Sequence, residues 1–583
     1  MDSHNINPFQ LFKEEVVSEE ISVRVNAVRR LPTVVTALGK NIPALSQLLA
    51  FLDTLIATSD DDEVLFGLSE SIYVFVDYVE PQQLLPLLER LVAVEETIVR
   101  EKSVETFNLM VRRLGPEQIA SFIIPSVSKM ALHQSFSIKM SALSIITEIF
   151  PLLRPEEKAD ILEKINTFFA EDSLILRRNL ASKLGKLCKY IAKDTLQAEI
   201  FNHFKNLTND DSDSVRIITI ESLIELAKVF SNEENKTFVI PLIIQMTGDK
   251  SWRVKLVLAK CFADLAEAVG NDIAENSLIS IFSTLLRDPE NEVRIAAVKS
   301  LKKFVLLLSL EKIQSILAYL QTLAKDAVSL VRTGVCEVLS EILKMNLEPL
   351  GKEVTKVRIQ PIITELVNDK DIEVKIEALK LLPHWAKWVN TYVLDLITNG
   401  TFALAFESPN WRIRHAIIES FIAMACEFQN QKLFDKIIKK VISNGLHDKA
   451  YKVRLLSISS FEKFSRFLED AYVIDNLLKD LIRVSTEHSE FYSYRVTSIY
   501  GMEAIICSLH SKDRIKDQYV KTLIKLTEDT IPNIRQVTVR VLIGILQHNT
   551  FPEYYEPIRK LLDDLRVNDK DSEVRLMLGR VFK

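Results

Sequence analysis

Apolar residues along this chain recur in helical register. Taking one aliphatic residue as position zero, apolar side chains return at +4, +8 and +11. Examples are Val254, Leu258, Phe262 and Leu265; Val293, Ala297, Leu301 and Phe304; and Ile413, Ile417, Phe421 and Met424. That spacing keeps to one face of an α-helix. The residue after the aliphatic one is basic, and the pair recurs along the chain. The basic positions are Arg24, Arg100, Lys139, Arg177, Arg216, Lys255, Arg294, Arg332, Lys375, Arg414, Arg454, Arg535 and Arg575. Arg495 after Tyr494 and Leu65 after Val64 fill the two gaps, giving fifteen marks about 39 residues apart.

Two further marks share this register. An aspartate stands six residues before the basic position at Asp210, Asp249, Asp288, Asp326, Asp369, Asp448, Asp529 and Asp569. A proline stands fourteen residues before it at Pro86, Pro125, Pro241 and Pro361. Each unit therefore reads as a helix pair, of the length of HEAT-type repeats. The first helix is apolar and bends where it carries proline, as in FVIPLIIQM at 238–246. A short polar turn follows, and the second helix starts near the Val-Arg mark. No such unit buries its apolar face alone, so neighbours must stack. The predicted fold is all-α, a single continuous α-solenoid of about fifteen HEAT repeats over residues 1–583. The recurrent Asp is expected to order its turn. The recurrent Arg is expected to reach a neighbouring turn's Asp or carbonyl, so that stacking builds a ladder of pairs.

Composition agrees. A chain of 583 residues exceeds what one hydrophobic core organises. Its 13 glycines and 18 prolines are too few for a turn-dense β fold. A net charge of −6 gives no overall basic footprint, so no nucleic-acid partner is expected. No apolar run is long enough to span a bilayer, so no membrane partner is expected either. The five cysteines, Cys188, Cys261, Cys336, Cys426 and Cys507, have no framework spacing and sit in apolar helical stretches. They point to a reducing compartment, and the N-terminus shows no secretory pattern. The expected location is cytoplasmic, or nuclear as well.

Catalytic constellations are absent from the sequence. The nine histidines are scattered without metal-ligand spacing, and no phosphate-binding glycine loop or Gly-x-Ser-x-Gly occurs. Asp60-Asp61-Asp62-Glu63 sits at a repeat turn, where acids favour the positive end of a helix. No metal, no cofactor and no enzyme activity is expected.

Several stretches exceed what a helical repeat needs: VEETIVREKSVETF (94–107), LRRNLASKLGK (176–186), DSDSVR (211–216), DKSWRVK with AVG at 268–270, and NWRIRHAIIE (410–419). On these the chain resembles the HEAT-repeat scaffold (A, 65-kDa-type regulatory) subunit of protein phosphatase 2A, over its whole length. The resemblance implies a non-catalytic, horseshoe-shaped superhelix whose turns form a binding ridge. It implies a serine/threonine phosphatase catalytic subunit on repeats 11–15 (residues 401–583) and an exchangeable B-type regulatory subunit on the arm formed by residues 1–400. By position it implies that Trp411, Arg412, Tyr451, Tyr492, Arg495, Ile531 and Asn533 face the catalytic subunit. Likewise it implies Glu63, Glu95, Glu96, Leu174, Arg177, Arg178, Asp211, Ser214, Trp252 and Arg253 for the regulatory subunit. Repeats 4, 5 and 11 depart from the family pattern at HQSFSIKM, at Leu174 and at Glu407-Ser408-Pro409.

Trp252 and Trp411 precede the apolar stripe by two residues, so they are expected off the buried face. An exposed Trp beside an Arg is the composition of an interface hot spot. The alternative is an indole folded back over its own hairpin. Competing functional readings are a nuclear transport receptor or other HEAT-repeat adaptor, and a scaffold of a related phosphatase. An acidic insertion, expected of the transport class, is not visible in the sequence.

Overall fold

A computed structural model describes residues 8–345, 347, 355–389, 403–428, 441–465, 469–488, 490–509 and 511–581. Among the described residues every regular element is helical. The chain divides into two compact units, Met1–Ser300 and Leu301–Lys583. Within each, successive repeats stack through their second helices. In the first unit Leu174–Cys188 packs on Asp213–Val229, which packs on Trp252–Val269. In the second, Trp411–Phe428 packs on Tyr451–Ser465, which packs on Tyr492–Ser508.

The apolar stripe is the buried face. Val254, Leu258, Phe262 and Leu265 are inaccessible to solvent, and Ile413, Ile417, Phe421 and Met424 are nearly so. Each such side chain contributes about 2 kcal/mol by leaving water, but only once the neighbouring repeat covers it. Of the cysteines, Cys188 and Cys336 are buried, and burial pushes the Cys188 thiol up to about 12. Cys507, although it too sits in an apolar helical stretch, is exposed.

The first helices are not simply bent. In repeat 7 the first helix is α over Asn232–Glu234, π over Asn235–Val239 and α again over Ile240–Thr247. Pro241 follows the wide turn. Proline has no N–H to offer and its ring collides with the carbonyl four residues back. A π turn shifts that carbonyl away. Pro125 and Pro361 likewise follow π turns at Ile119–Ile123 and Thr355–Ile359. The π turn also occurs without proline, at Leu196–Ile200 and Ala274–Leu278. It is thus shared by several repeats with and without proline, whereas Pro86 sits inside the α-helix Pro81–Leu91 with no π turn before it.

The predicted ladder exists and each rung has two parts. Arg216 donates Nη1–H to the carbonyls of Asp210 (2.6 Å) and Asp211 (3.2 Å) in its own turn. Its Nε and Nη2 grip the Asp249 carboxylate of the next repeat, both at 2.8 Å. Asp249 Oδ1 in turn accepts the Ser251 N–H at 2.8 Å, which fixes the turn before the next helix. The same arrangement joins Arg332 to Asp369, Arg414 to Asp448 and Arg535 to Asp569. Lys255 makes a single contact to Asp288 at 2.6 Å, as a point charge does. Where the acid is missing the rung changes. His133 and Ser489 occupy the aspartate position in repeats 4 and 13. Arg100 keeps its carbonyls, at Val94 and Glu95. Arg454 turns its Nε to Thr497 Oγ1 at 2.9 Å.

Burial raises the proton affinity of Asp249, Asp369 and Asp569, but the arginine forks and backbone donors outweigh it. Their carboxyls are held below the ordinary aspartate value. A depressed native pKa gives stability that is complete above the unfolded value and is lost as pH falls below it.

A second contact fixes helix spacing. Ser222 Oγ donates to the Ala181 carbonyl (2.5 Å) and accepts the Gly185 N–H (3.1 Å), the two ends of one helical turn. A Cβ at Gly185 would lie 2.7 Å from Ser222 Cα. The ASKLG stretch is therefore a close-packing site. Gly270, last of the AVG stretch, has φ 89°, which strains any L side chain.

Two outcomes follow. Asp249→Asn should cost about 3 kcal/mol at pH 7 in urea unfolding, because Arg216 stays buried without its counter-charge; the difference from wild type should start to shrink below about pH 4, where the unfolded chain's aspartate takes up its proton, and vanish only once the native carboxyl, held lower, protonates as well. Gly185→Ala should cost about 2 kcal/mol, whereas Gly579→Ala, with nothing within 4 Å of a new Cβ, should be neutral or stabilising in the same measurement.

Candidate protein interaction surface

The start of each second helix lies outside the stacked core. Positions three and two residues before the basic mark escape burial because the turn projects past the neighbouring helices. Large apolar residues occupy them repeatedly. In the first unit these are Ile21, Ile98, Phe136, Leu174, Ile175 and Trp252; in the second, Leu330, Ile372, Trp411, Tyr451 and Tyr492. A turn that only starts a helix needs small polar residues. Exposed apolar residues in one register form a ridge in each unit, of the kind used in recognition.

Trp252 and Trp411 are 39% and 38% exposed, so the indoles are on the ridge as expected. Each is partly roofed by a cation. Arg253 lies 5.9 Å over the Trp252 ring, and Lys452 of the next repeat lies 5.5 Å over Trp411. The following arginines reach back to an acid in the preceding turn: Arg253 to Asp213 at 3.8 Å, and Arg412 to Glu373 by a two-pronged contact. The Trp-Arg phrase thus also ties adjacent turns together. The Glu373 contact raises the Arg412 pKa further.

The remaining expected residues divide. Glu63, Glu95, Asp211, Arg178 and Asn533 are exposed, and Ser214 and Ile531 are half-buried. Glu96 is exposed but caps its helix, accepting the Ile98 N–H. Arg177 is half-buried and holds Asp210 at 2.6 Å and Asp172 at 3.2 Å, so it serves the ladder. Arg495 is a correction. It is 1% exposed, donates to the Ser485 carbonyl at 3.0 Å and pairs with buried Asp529. A guanidinium so enclosed is a rung and does not reach a partner.

Residues that the sequence reading missed lie in the same register. Ile98, Phe136, Ile175, Leu330 and Ile372 were detectable as apolar residues at positions where a cap needs polarity. Phe491, 72% exposed, stands beside Tyr492. Its ring meets Tyr494 edge-on at 5.8 Å, and Tyr494 meets His447 at 5.4 Å. Among the described residues no group of His, Cys, Asp and Glu could hold a metal, and no helix is long and apolar enough to cross a membrane.

Comparison with known proteins gives the ridge a context. The A-type regulatory subunit of protein phosphatase PP2A from Schizosaccharomyces pombe is 30% identical over 235 residues, 40% of this chain and 39% of that protein. The human 65 kDa A-type regulatory subunit of protein phosphatase 2A, in its beta isoform, is 28% identical over 387 residues, 65% of this chain and 63% of that protein. This chain is similar to the A-type regulatory subunits of protein phosphatase 2A. The match covers about two fifths of the length of the first A-type relatives. These relatives are named as regulatory subunits, which agrees with a non-enzymatic chain. A family model, PIK3R4-like middle domain, matches residues 188–331. Among solved structures, Kap121p aligns with a TM-score of 0.56 at 14% identity, covering 98% of this chain and 69% of that one. Yeast importin-beta (Kap95p) aligns at 0.55 and 12%, covering 97% and 76%. At such identities the likeness is one of fold, the helical solenoid.

Proposed function

We propose that this chain is a non-catalytic scaffold that assembles a protein phosphatase 2A-type holoenzyme. The catalytic subunit docks on the turns of repeats 11–15, through Trp411, Tyr451, Tyr492 and their neighbours. A B-type regulatory subunit docks on the turns of the preceding arm, through Trp252, Leu174, Arg178 and the acids at 63, 95 and 211. The observation that carries the reading is the exposed apolar ridge in a chain similar to A-type subunits, with Trp-Arg turns in repeats 7 and 11. No chemistry is required of the scaffold. Held on one chain, the phosphatase meets, at raised effective concentration, the substrates that the regulatory subunit gathers. The setting is the cytoplasm, or the nucleus as well.

A pull-down from native lysate should recover a serine/threonine phosphatase catalytic subunit in near-equal amount. Trp411→Ala with Arg412→Ala should weaken that association by about 30-fold or more with the helical circular-dichroism signal retained. Trp252→Ala with Arg253→Ala should keep the catalytic subunit but release the regulatory one. Recovery of a small transport GTPase in place of the phosphatase would sink the reading and favour a transport receptor.

A further inference from the structure

A trough runs across the second helices of repeats 3, 4 and 5, all within the first unit. Its floor is Phe136–Ile149 of repeat 4, 14 residues long, about 21 Å at the helical rise. That helix turns Ser137, Met140, Ser141, Ser144 and Thr147 into the trough, and at its far end Glu148, which is paired with Arg112. Its neighbours turn longer side chains inward, so the middle helix is sunk between two walls. The cavity volume is about 900 Å³.

The walls differ in charge. On the repeat 3 side Glu95, Glu101 and Glu105 line the trough, with Glu101 and Glu105 at helical spacing on one face and Glu105 also paired to Lys102 at 3.1 Å; the two arginines there are engaged, Arg100 by carbonyls of its own turn and Arg112 by Glu148 at 2.9 Å. On Leu174–Cys188 of repeat 5 stand Arg178, Lys183 and Lys186. Among the described residues no carboxylate lies within salt-bridge reach of Lys183 or Lys186, although ion pairs abound elsewhere along these helices. Lys183 is half-buried, and burial first and then the adjacent Lys186 push its pKa down, against the opposing pull of Glu148 and Glu101 across the trough. Each wall also carries one carboxamide, Asn108 and Asn179, whose Oδ1 is buried without a hydrogen-bond partner. Unpaired buried acceptors and an unpaired, half-desolvated ammonium are costly in a finished surface. At the Arg178 end the trough opens onto the ridge described above.

We propose that this trough docks a helical segment of a partner protein with acidic residues along one edge, basic residues along the other and small polar residues between. The acidic edge faces Lys183 and Lys186, the basic edge faces Glu101 and Glu105, and the polar centre lies over the serine floor. The inference uses only the geometry of this unit and does not depend on the phosphatase reading.

The test uses the full chain and a fluorescein-labelled, alanine-rich peptide of about fourteen residues, with glutamates on one helix edge and lysines on the other. Fluorescence anisotropy at low salt should show it binding at least about tenfold tighter than a peptide of the same composition with Glu and Lys interleaved around the helix. Lys183→Glu with Lys186→Glu should weaken binding by about tenfold, and exposed Lys186→Glu alone should weaken it with the thermal melt unchanged. Adding Glu101→Lys and Glu105→Lys to the exchanged lysines should restore binding, because the peptide then enters in the opposite direction. Equal binding of the two peptides overturns the proposal. So does failure of the fourfold exchange to restore binding in a folded variant. Tighter binding of polyglutamate or of an oligoribonucleotide overturns it too, and makes the wall a simple cation patch.

Discussion

The two-sided arginine rung is the constraint on which the arrays depend. One guanidinium closes its own turn through two carbonyls and grips the carboxylate that orders the next turn. Apolar burial drives stacking but is tolerant of sliding, because one helix stripe packs on another over many offsets. A buried fork and carboxylate match in few orientations. The rung therefore sets the register in which the stripes meet. That register in turn fixes which residues of each turn are left outside.

Seen this way, ridge and core come from one repeating rule. Wherever a rung forms, the residue at the basic position is consumed within the array. The residues two and three places earlier are exposed or half-buried and none is fully enclosed. This explains why the Trp-Arg phrase splits in function. Lys255 and Arg414 are structural, Trp252 and Trp411 are presented, and Arg253 and Arg412 do both by bridging to the preceding turn while staying partly exposed.

Most of the fold was legible in the sequence because its signals are local and repeated fifteen times. The stripe through Val254, Leu258, Phe262 and Leu265 and the aspartate six places before the basic mark needed no tertiary knowledge. Part of what escaped reading depends on partners about a repeat away. Gly185 is explained only by Ser222, which inserts a hydroxyl between Ala181 and Gly185. The π turns escaped because they involve backbone width, and Leu196–Ile200 shows one with no proline to signal it. Arg495 was misplaced because a resemblance assigned it to the surface while its own register placed it in the ladder. Cys507 follows the apolar helical context of the buried cysteines but lies on the open side of its helix.

The clamp between Glu373 and Arg412 sits where the regular rung is lacking, since Ser408 replaces the aspartate that would have received Lys375. The turns of repeats 10 and 11 are thus tied by a pair open to solvent, where neighbouring turns use enclosed forks, while inside the joint Ser420 still donates to the Leu379 carbonyl at 2.8 Å. A carboxylate arriving from outside competes with Glu373 for Arg412. Added salt screens such an exposed pair far more than the enclosed forks on either side, so the tie between these two turns is the first in its stretch to weaken as ionic strength rises.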